Sequence, residues 1–180
     1  MKRFIFYILT FAFVSVTLPE QMYSQQKSTE GTDFILSLGD GRNGVSIRRL
    51  KFAASDTLQV TLTFNWLSGN NGNGNNRTET FTVNGGTLHT FIIPAGSQQQ
   101  AAIIAPTAPN APQNRTVLIH STKKMSVYAY DGTGSSGDAS LILPIDALDT
   151  DYYLLSNTPR NTVDSYVVVA TKNGTVVQRN

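Results

Sequence analysis

The sequence predicts an all-β fold, an antiparallel β-sandwich of about ten short strands. Three observations predict it. Apolar and polar residues alternate with period two, most clearly in TLQVTLTFNWL, where Leu58, Val60, Leu62, Phe64 and Trp66 share one face. Clusters rich in Gly, Asn and Pro punctuate the chain every ~8–12 residues, the spacing of turns in sandwiches and barrels. Beyond the N-terminal segment, no stretch long enough for a helix carries helical periodicity.

The elements follow in order. The opening MKRFIFYILTFAFVSVTLPEQMYSQQ has basic Lys2 and Arg3, an apolar run from Phe4 to Leu18, Pro19 and a small residue, Ser24, before Gln25. This is the order of a secretory signal peptide, and the run is short of the ~20 residues that span a membrane. Residues 1–24 are read as a cleaved signal and residues 25–32 as a polar leader. Residues 33–180 are read as the β-domain. The protein is expected outside the cytoplasm, secreted or at the cell surface, with no membrane insertion once the signal is gone.

Strands are expected at 34–38, at 45–53 with Val45, Ile47 and Arg49 on one face, and at 58–66. GDGRNG (39–44) is a turn cluster and SGNNGNGNNR (68–77) a polar loop. Strands 78–83 and 87–93 flank Asn84-Gly85-Gly86 and are expected to form a hairpin, since Asn-Gly supplies the positive φ that tight hairpins need. The proline-rich 105–114 is an extended connection. Strands 117–121 and 125–131 are expected to turn at Thr122-Lys123-Lys124. A strand follows at 139–143, then a single helical turn in PIDALDTD (144–151) and strands at 152–156 and 166–171. Asn173-Gly174 marks another hairpin turn. Its return strand TVVQRN reaches Asn180 with Val176 and Val177 lacking a partner, so the domain is expected to continue past Asn180. The competing reading is an edge strand.

Composition excludes several functions. Charged residues make up 14% of the chain, against ~25% in ordinary domains. The net charge of +2, falling to +1 when Lys2, Arg3 and Glu20 leave with the signal, is too small for a nucleic-acid or anionic-membrane partner. There is no cysteine, hence no disulfide and no thiol chemistry. His89 and His120 lack metal-ligand spacing and are read as surface or cross-strand residues. No G-x-S-x-G elbow occurs, and Asp146, Asp149 and Asp151 are read as turn-capping side chains rather than a glycosidase pair. No catalytic residue or cofactor is assigned. DGRNG and DGTGSSGD offer oxygen ligands for calcium, but neither has the EF-hand spacing.

The segment SVYAYDGTGSSGDASLILP (126–144) holds the candidate site. Tyr128 and Tyr130 share the face opposite Met125, Val127 and Ala129, and the polar loop 131–138 is expected to be an exposed hairpin tip, the usual place for recognition. Tyr128, Tyr130, Asp131, Ser135, Ser136 and Asp138 are the candidate ligand-binding residues.

KKMSVYAYDGTGSSGDASLILPIDALDTDYYLLS, followed by SYVVVATKNGTVV, resembles the N-terminal region of the IgGFc-binding protein family. The matching positions are Ser126 to Tyr130, Ser136 to Ala139, Leu143-Pro144, Ala147-Leu148 and Thr150 to Tyr153. GTDFILSL is similar to the opening motif of that family, with Ile35 where it has Trp, and TETFTVNGGTLHTFIIPAG to its hairpin. Asp149 stands where it has Gly. The resemblance implies a bacterial, exported, β-rich binding or adhesion module with an extracellular glycoprotein or glycan such as mucin as partner. It brings no catalytic residues and does not imply Fc binding. The other reading is a structural β-domain of a larger exported protein, with no ligand of its own. Nothing here fixes an oligomeric state.

Overall fold

The computed structural model describes residues 27–39, 47–66, 77–94, 103–104, 113, 115–132, 137–153 and 167–178. The strands are β1 (Gly31–Leu36), β2 (Leu38–Gly39), β3 (Ile47–Ala53), β4 (Leu58–Trp66), β5 (Arg77–Val83), β6 (Leu88–Ile92), β7 (Ile103–Ile104), β8 (Arg115–Gly132) and β9 (Gly137–Ile142). A single 3-10 turn, η1 (Ile145–Ala147), follows Pro144 where a helical turn was expected. The all-β, antiparallel expectation holds. Seven strands form one curled antiparallel sheet in the order β5-β4-β8-β3-β6, with β1 and β9 also paired to β8. β2 and β7 form a separate short parallel pair.

β8 organises the molecule. Its residues 115–121 are flanked by β1 and β4, and its residues 126–132 by β3 and β9. The turn expected at 122–124 is not a turn. The chain stays extended through it, and the β1 register slips between Gly31↔Met125 and Asp33↔His120, a bulge on β8. No Gly or Pro is present to reverse the chain there. Ser121, almost fully buried, donates its hydroxyl to the Lys123 carbonyl at 2.7 Å, and Thr122 Oγ1 accepts from the Gln59 amide at 3.1 Å. Lys123 swings out to Asp56 at 3.6 Å. Two predicted strands are therefore one strand of 18 residues with a corner.

The expected hairpin at 84–86 is also corrected. β5 and β6 are joined by a tight turn, but β5 pairs with β4 and β6 with β3. Of the two central glycines only Gly86 has positive φ, at 71°, and the Thr87 amide donates to the Asn84 carbonyl at 3.3 Å, which is a type II turn. A type II turn splays its flanking strands, so the chain crosses between the two ends of the curled sheet. The turn rests on the β3–β4 connection. The Gly86 amide donates to the Ala54 carbonyl at 2.9 Å and the Gly85 amide to Thr57 Oγ1 at 3.1 Å.

The two end strands meet through rings. Phe81 on β5 stacks on His89 and Phe91 of β6, with centroids 4.6 and 5.5 Å apart, and meets Phe52 edge-on at 5.4 Å. The core lies inside the curl. Phe34 and Leu36 of β1, Leu50 and Phe52 of β3, Leu58, Val60, Leu62 and Phe64 of β4, and Val117, Ile119, Met125, Val127 and Ala129 of β8 are all buried. The alternation read in β4 is thus the core face. Trp66 ends that strand, and its side chain lies outside the described residues. In β3 the phase is opposite to the one expected. Arg48, Leu50 and Phe52 point inward, Ile47 and Arg49 outward, and Val45 lies outside the described residues.

β1 begins at Gly31, three residues ahead of the expected strand start at 34. Pro144 is buried directly against Gly31, where a Cβ would overlap the proline ring. Lys27 of the leader donates to the Leu148 carbonyl at 2.9 Å and to Asp149 at 2.8 Å, fastening the residues ahead of β1 to the segment after η1. The aspartates do not cap η1, whose first residue has no side-chain partner. Asp149 instead accepts from the Thr150 amide, and Asp151 from the Thr150 hydroxyl. Asp149 is held below the usual carboxylate range by its Lys27 hydrogen bond first and by the Thr150 amide second.

Past η1 the expectations of further strands are not met among the described residues. Tyr152 and Tyr153 are exposed and outside any ladder; residues 167–178 also join no ladder, with Val167 and Val169 half-buried and the rest exposed. The turn at Asn173-Gly174 does form, with Gly174 at φ 77° and Thr175 Oγ1 donating to the Lys172 carbonyl at 2.8 Å. Residues 154–156 and 166 of those expected strands lie outside the described residues, as do the loops at 40–46, 67–76 and 105–112.

An acid-sensitive contact joins β1 to β8. Asp33 faces His120 across the ladder at 2.7 Å and also accepts from the Thr32 hydroxyl at 2.6 Å. The Thr32 bond, then the His120 bond, holds the Asp33 carboxyl below its usual range. The folded chain therefore binds fewer protons here than the unfolded chain. The contribution is present above the ordinary carboxylate pKa and drains away as pH falls through the lowered one. Asp33→Asn should change stability at neutral pH by less than about 1 kcal/mol, as for an exposed pair, and should flatten the loss below about pH 4. Urea midpoints taken from neutral pH to about pH 3 test this, and parallel curves for the two proteins would refute it.

Candidate functional site

The two outer faces of the curled sheet differ in chemistry. On the side of β4 and β5 the cross-strand neighbours are Thr61 with Thr80 and Thr63 with Thr78, all from the polar phase of their strands. These groups satisfy one another. The Thr61 and Thr80 hydroxyls are 3.3 Å apart, and Asn65 donates to Thr116 at 3.2 Å.

The outer face of β6, β3, β8 and β9 is of another kind. Its register sets Ile92, Arg49, Tyr130 and Ala139 in one cross-strand row and Thr90, Lys51, Tyr128 and Leu141 in the next. Leu88, Ala53 and Ser126 follow in a third. Tyr128 is 40% exposed, Leu141 40% and Ile92 56%, so the rows present a contiguous exposed apolar surface. Two cations lie in its middle. The Arg49 guanidinium sits 5.4 Å from the Tyr130 ring centroid, a cation–π contact. Among the described residues neither Arg49 nor Lys51 has a carboxylate partner. The third row runs into a shallow depression of about 390 Å³ that Glu30, Ser55 and Thr87 help to line.

The candidate residues separate on this frame. Tyr128 and Tyr130 share the outer face, as their alternation implied. Tyr128 is open to solvent. Tyr130 is half-buried, because its ring lies over Gly132 and Gly137, the last cross-strand pair of the β8–β9 hairpin, where a Cβ on either would overlap it. Asp131 and Asp138 are cross-strand partners within the strands rather than loop residues, and alternation puts them on the side opposite the tyrosines. Asp131 is engaged by Arg48, whose Nε lies 3.3 Å from its carboxylate and whose side chain is only 4% exposed. That contact neutralises an inward-pointing guanidinium, so Asp131 acts in the architecture. Ser135 and Ser136 lie outside the described residues, in the connection between β8 and β9.

Sequence reading missed Arg49 and Lys51. Each sits on the polar phase of β3, a phase the sequence offered only as an imperfect alternation, and their adjacency to the tyrosines comes from the β3–β8 ladder. His89 and His120 lie on different strands and contact Phe81 and Asp33 respectively. Among the described residues no group of three His, Cys, Asp or Glu side chains is placed to hold a metal, and no helix is long and apolar enough to cross a membrane.

No family model matches the chain, and neither any curated protein nor any solved structure gives a match. The resemblance to the IgGFc-binding family therefore rests on the quoted residues alone.

Proposed function

We propose that the protein is an exported, non-enzymatic binding module of the IgGFc-binding type, attaching to an extracellular glycoprotein or glycan through the outer face of β6, β3, β8 and β9. The observation that carries this reading is the contiguous exposed surface of Tyr128, Leu141 and Ile92 around Arg49 and Lys51. Tyr and Arg are the residues over-represented at binding hot spots, and an apolar exposed patch on a folded domain commonly marks a recognition surface. The N-terminal segment with the order of a secretory signal and the family resemblance support a site of action outside the cytoplasm.

The test is adhesion of the purified protein to a mucin-coated surface, with Tyr128→Ser and Leu141→Ser combined. Both side chains point to solvent, so the thermal melt should shift little while binding falls at least tenfold. Undiminished binding by the double variant would move the site elsewhere. A second reading, a structural β-domain of a larger exported protein, draws on one observation. Val168, Val176 and Val177 are exposed in a segment that joins no ladder, apolar surface of the kind a neighbouring domain covers.

A further inference from the structure

We propose that the occupant of this face is an acidic glycan, a saccharide chain bearing carboxylate or sulfate groups; the inference rests on the binding-module reading and names its ligand class. The first support is charge. The outward residues of the four strands are Leu88, Thr90 and Ile92 on β6, Ile47, Arg49, Lys51 and Ala53 on β3, Ser126, Tyr128 and Tyr130 on β8, and Ala139 and Leu141 on β9. Two are cationic and none is acidic. The nearest carboxylates along the ladder, Asp131 and Asp138, belong to the other side of the sheet. A protein with a net charge of only +2 thus gathers on one face two cations that have no carboxylate partner among the described residues, and Glu30 in the depression confines the anion-accepting part to the Arg49–Lys51 rows.

The second support is the kind of contact the face allows. β3 and β8 are paired on both sides, so their backbone donors and acceptors are consumed by the ladders. A peptide adding as a strand needs an open edge, and the edges of this face lie at β6 and β9, not in the β3–β8 middle where Arg49, Lys51, Tyr128 and Tyr130 stand. Recognition here uses side chains alone. Tyr128 gives a ring for the apolar side of a sugar, Lys51 beside it a mobile point charge, and Arg49 a planar fork suited to two oxygens of one anionic group. Arg49 and Lys51 are two residues apart on one strand, roughly 7 Å along it. Anionic groups repeated along a flexible chain can meet both.

The experiment measures binding of the full chain to a sulfated, uronic-acid-containing oligosaccharide of the heparin type. A desulfated, carboxyl-reduced oligosaccharide and a poly-glutamate peptide are the comparison probes. The charge-reversal Lys51→Glu is set against Lys172→Glu, an exposed lysine off the sheet that changes net charge equally. Lys51→Glu should weaken binding to the sulfated probe at least tenfold and flatten its salt dependence, while Lys172→Glu should stay within about twofold. Arg49→Gln should also weaken it, with an unchanged melt. Equal losses for the two lysine variants, or poly-glutamate bound as tightly as the saccharide, would overturn the inference in favour of unspecific attraction. Mucin stripped of sialic acid and sulfate separates this from the parent reading. If stripped mucin still binds through Tyr128 and Leu141, the module reading stands and the acidic ligand falls. If neither form of mucin nor the sulfated probe binds a folded sample, both fall.

Discussion

Replacing Phe52 with alanine should lower the stability of the protein by about 3–5 kcal/mol, the cost of emptying a large buried aromatic site. Phe52 is fully buried, in the middle of β3, with β6 paired on one edge and β8 on the other. Its ring meets Phe81 edge-on at 5.4 Å and lies 6.3 Å from His89. It therefore backs the ring contacts that join β5 to β6, the ends of the curled sheet, which share no ladder. The loss has two parts, the transfer energy of the ring and the cavity that two paired neighbours prevent from collapsing. Phe52→Leu, which keeps most of the volume, should cost appreciably less. Urea denaturation of both variants decides it, and a loss below about 1 kcal/mol for the alanine variant would mean that the ends close without this ring.

Gly85→Ala should also destabilise the fold, for a different reason. A Cβ at position 85 would lie 2.5 Å from the Ser55 carbonyl oxygen, 2.8 Å from the Asp56 carbonyl carbon and 2.9 Å from the Thr57 nitrogen. All three are backbone atoms, so no side chain can rotate away, and one of the two connections must move. Forced overpacking costs about 1–3 kcal/mol, and moving the turn also strains the Gly85 and Gly86 amide bonds to Thr57 and Ala54. The neighbouring Gly86→Ala is the informative comparison. Nothing lies within 4 Å of its added Cβ, but its φ of 71° is left-handed and should cost about 1–2 kcal/mol. Thermal melts of the pair separate close approach from backbone conformation. Equal, small shifts in both would show that the two connections are not pressed together in solution.

The sequence shows the fold where the signal is local. β4 is legible because nine residues alternate without interruption, and its apolar phase is the core face. Pro144 and η1 are legible because a proline that closes an alternating run ends the strand and favours a turn after it. What is not legible is pairing. Asn84-Gly85-Gly86 announces a tight turn, yet nothing in those residues says that β5 and β6 will pair with β4 and β3 instead of with each other. The corner of β8 is hidden for a related reason. Residues 121 and 125 keep the same inward phase, and Lys123, which falls in that phase, suggests a break. The bulge turns its side chain out to Asp56, and the strand continues. The candidate site divides along the same line. Tyr128 and Tyr130 were found through their own alternation, whereas Arg49 and Lys51 reach them only through a ladder closed by residues some 80 positions away.

The position of β8 in the chain governs when the protein can fold. Of the six ladders in the curled sheet, four include β8, and β1 has no other partner in the sheet. Up to residue 114 the growing chain owns, among the described residues, only the β3–β6 and β4–β5 ladders and the short β2–β7 pair, with most of its future core lacking its β8 partner. Contacts of such long sequence separation close slowly, and their unpaired strands are open to mispairing while they wait. For a chain threaded through a membrane from its N-terminus, that delay is useful. In the exported chain proposed above, everything ahead of Arg115 would stay pliable during passage, and the sheet would lock when the late strand emerges on the far side.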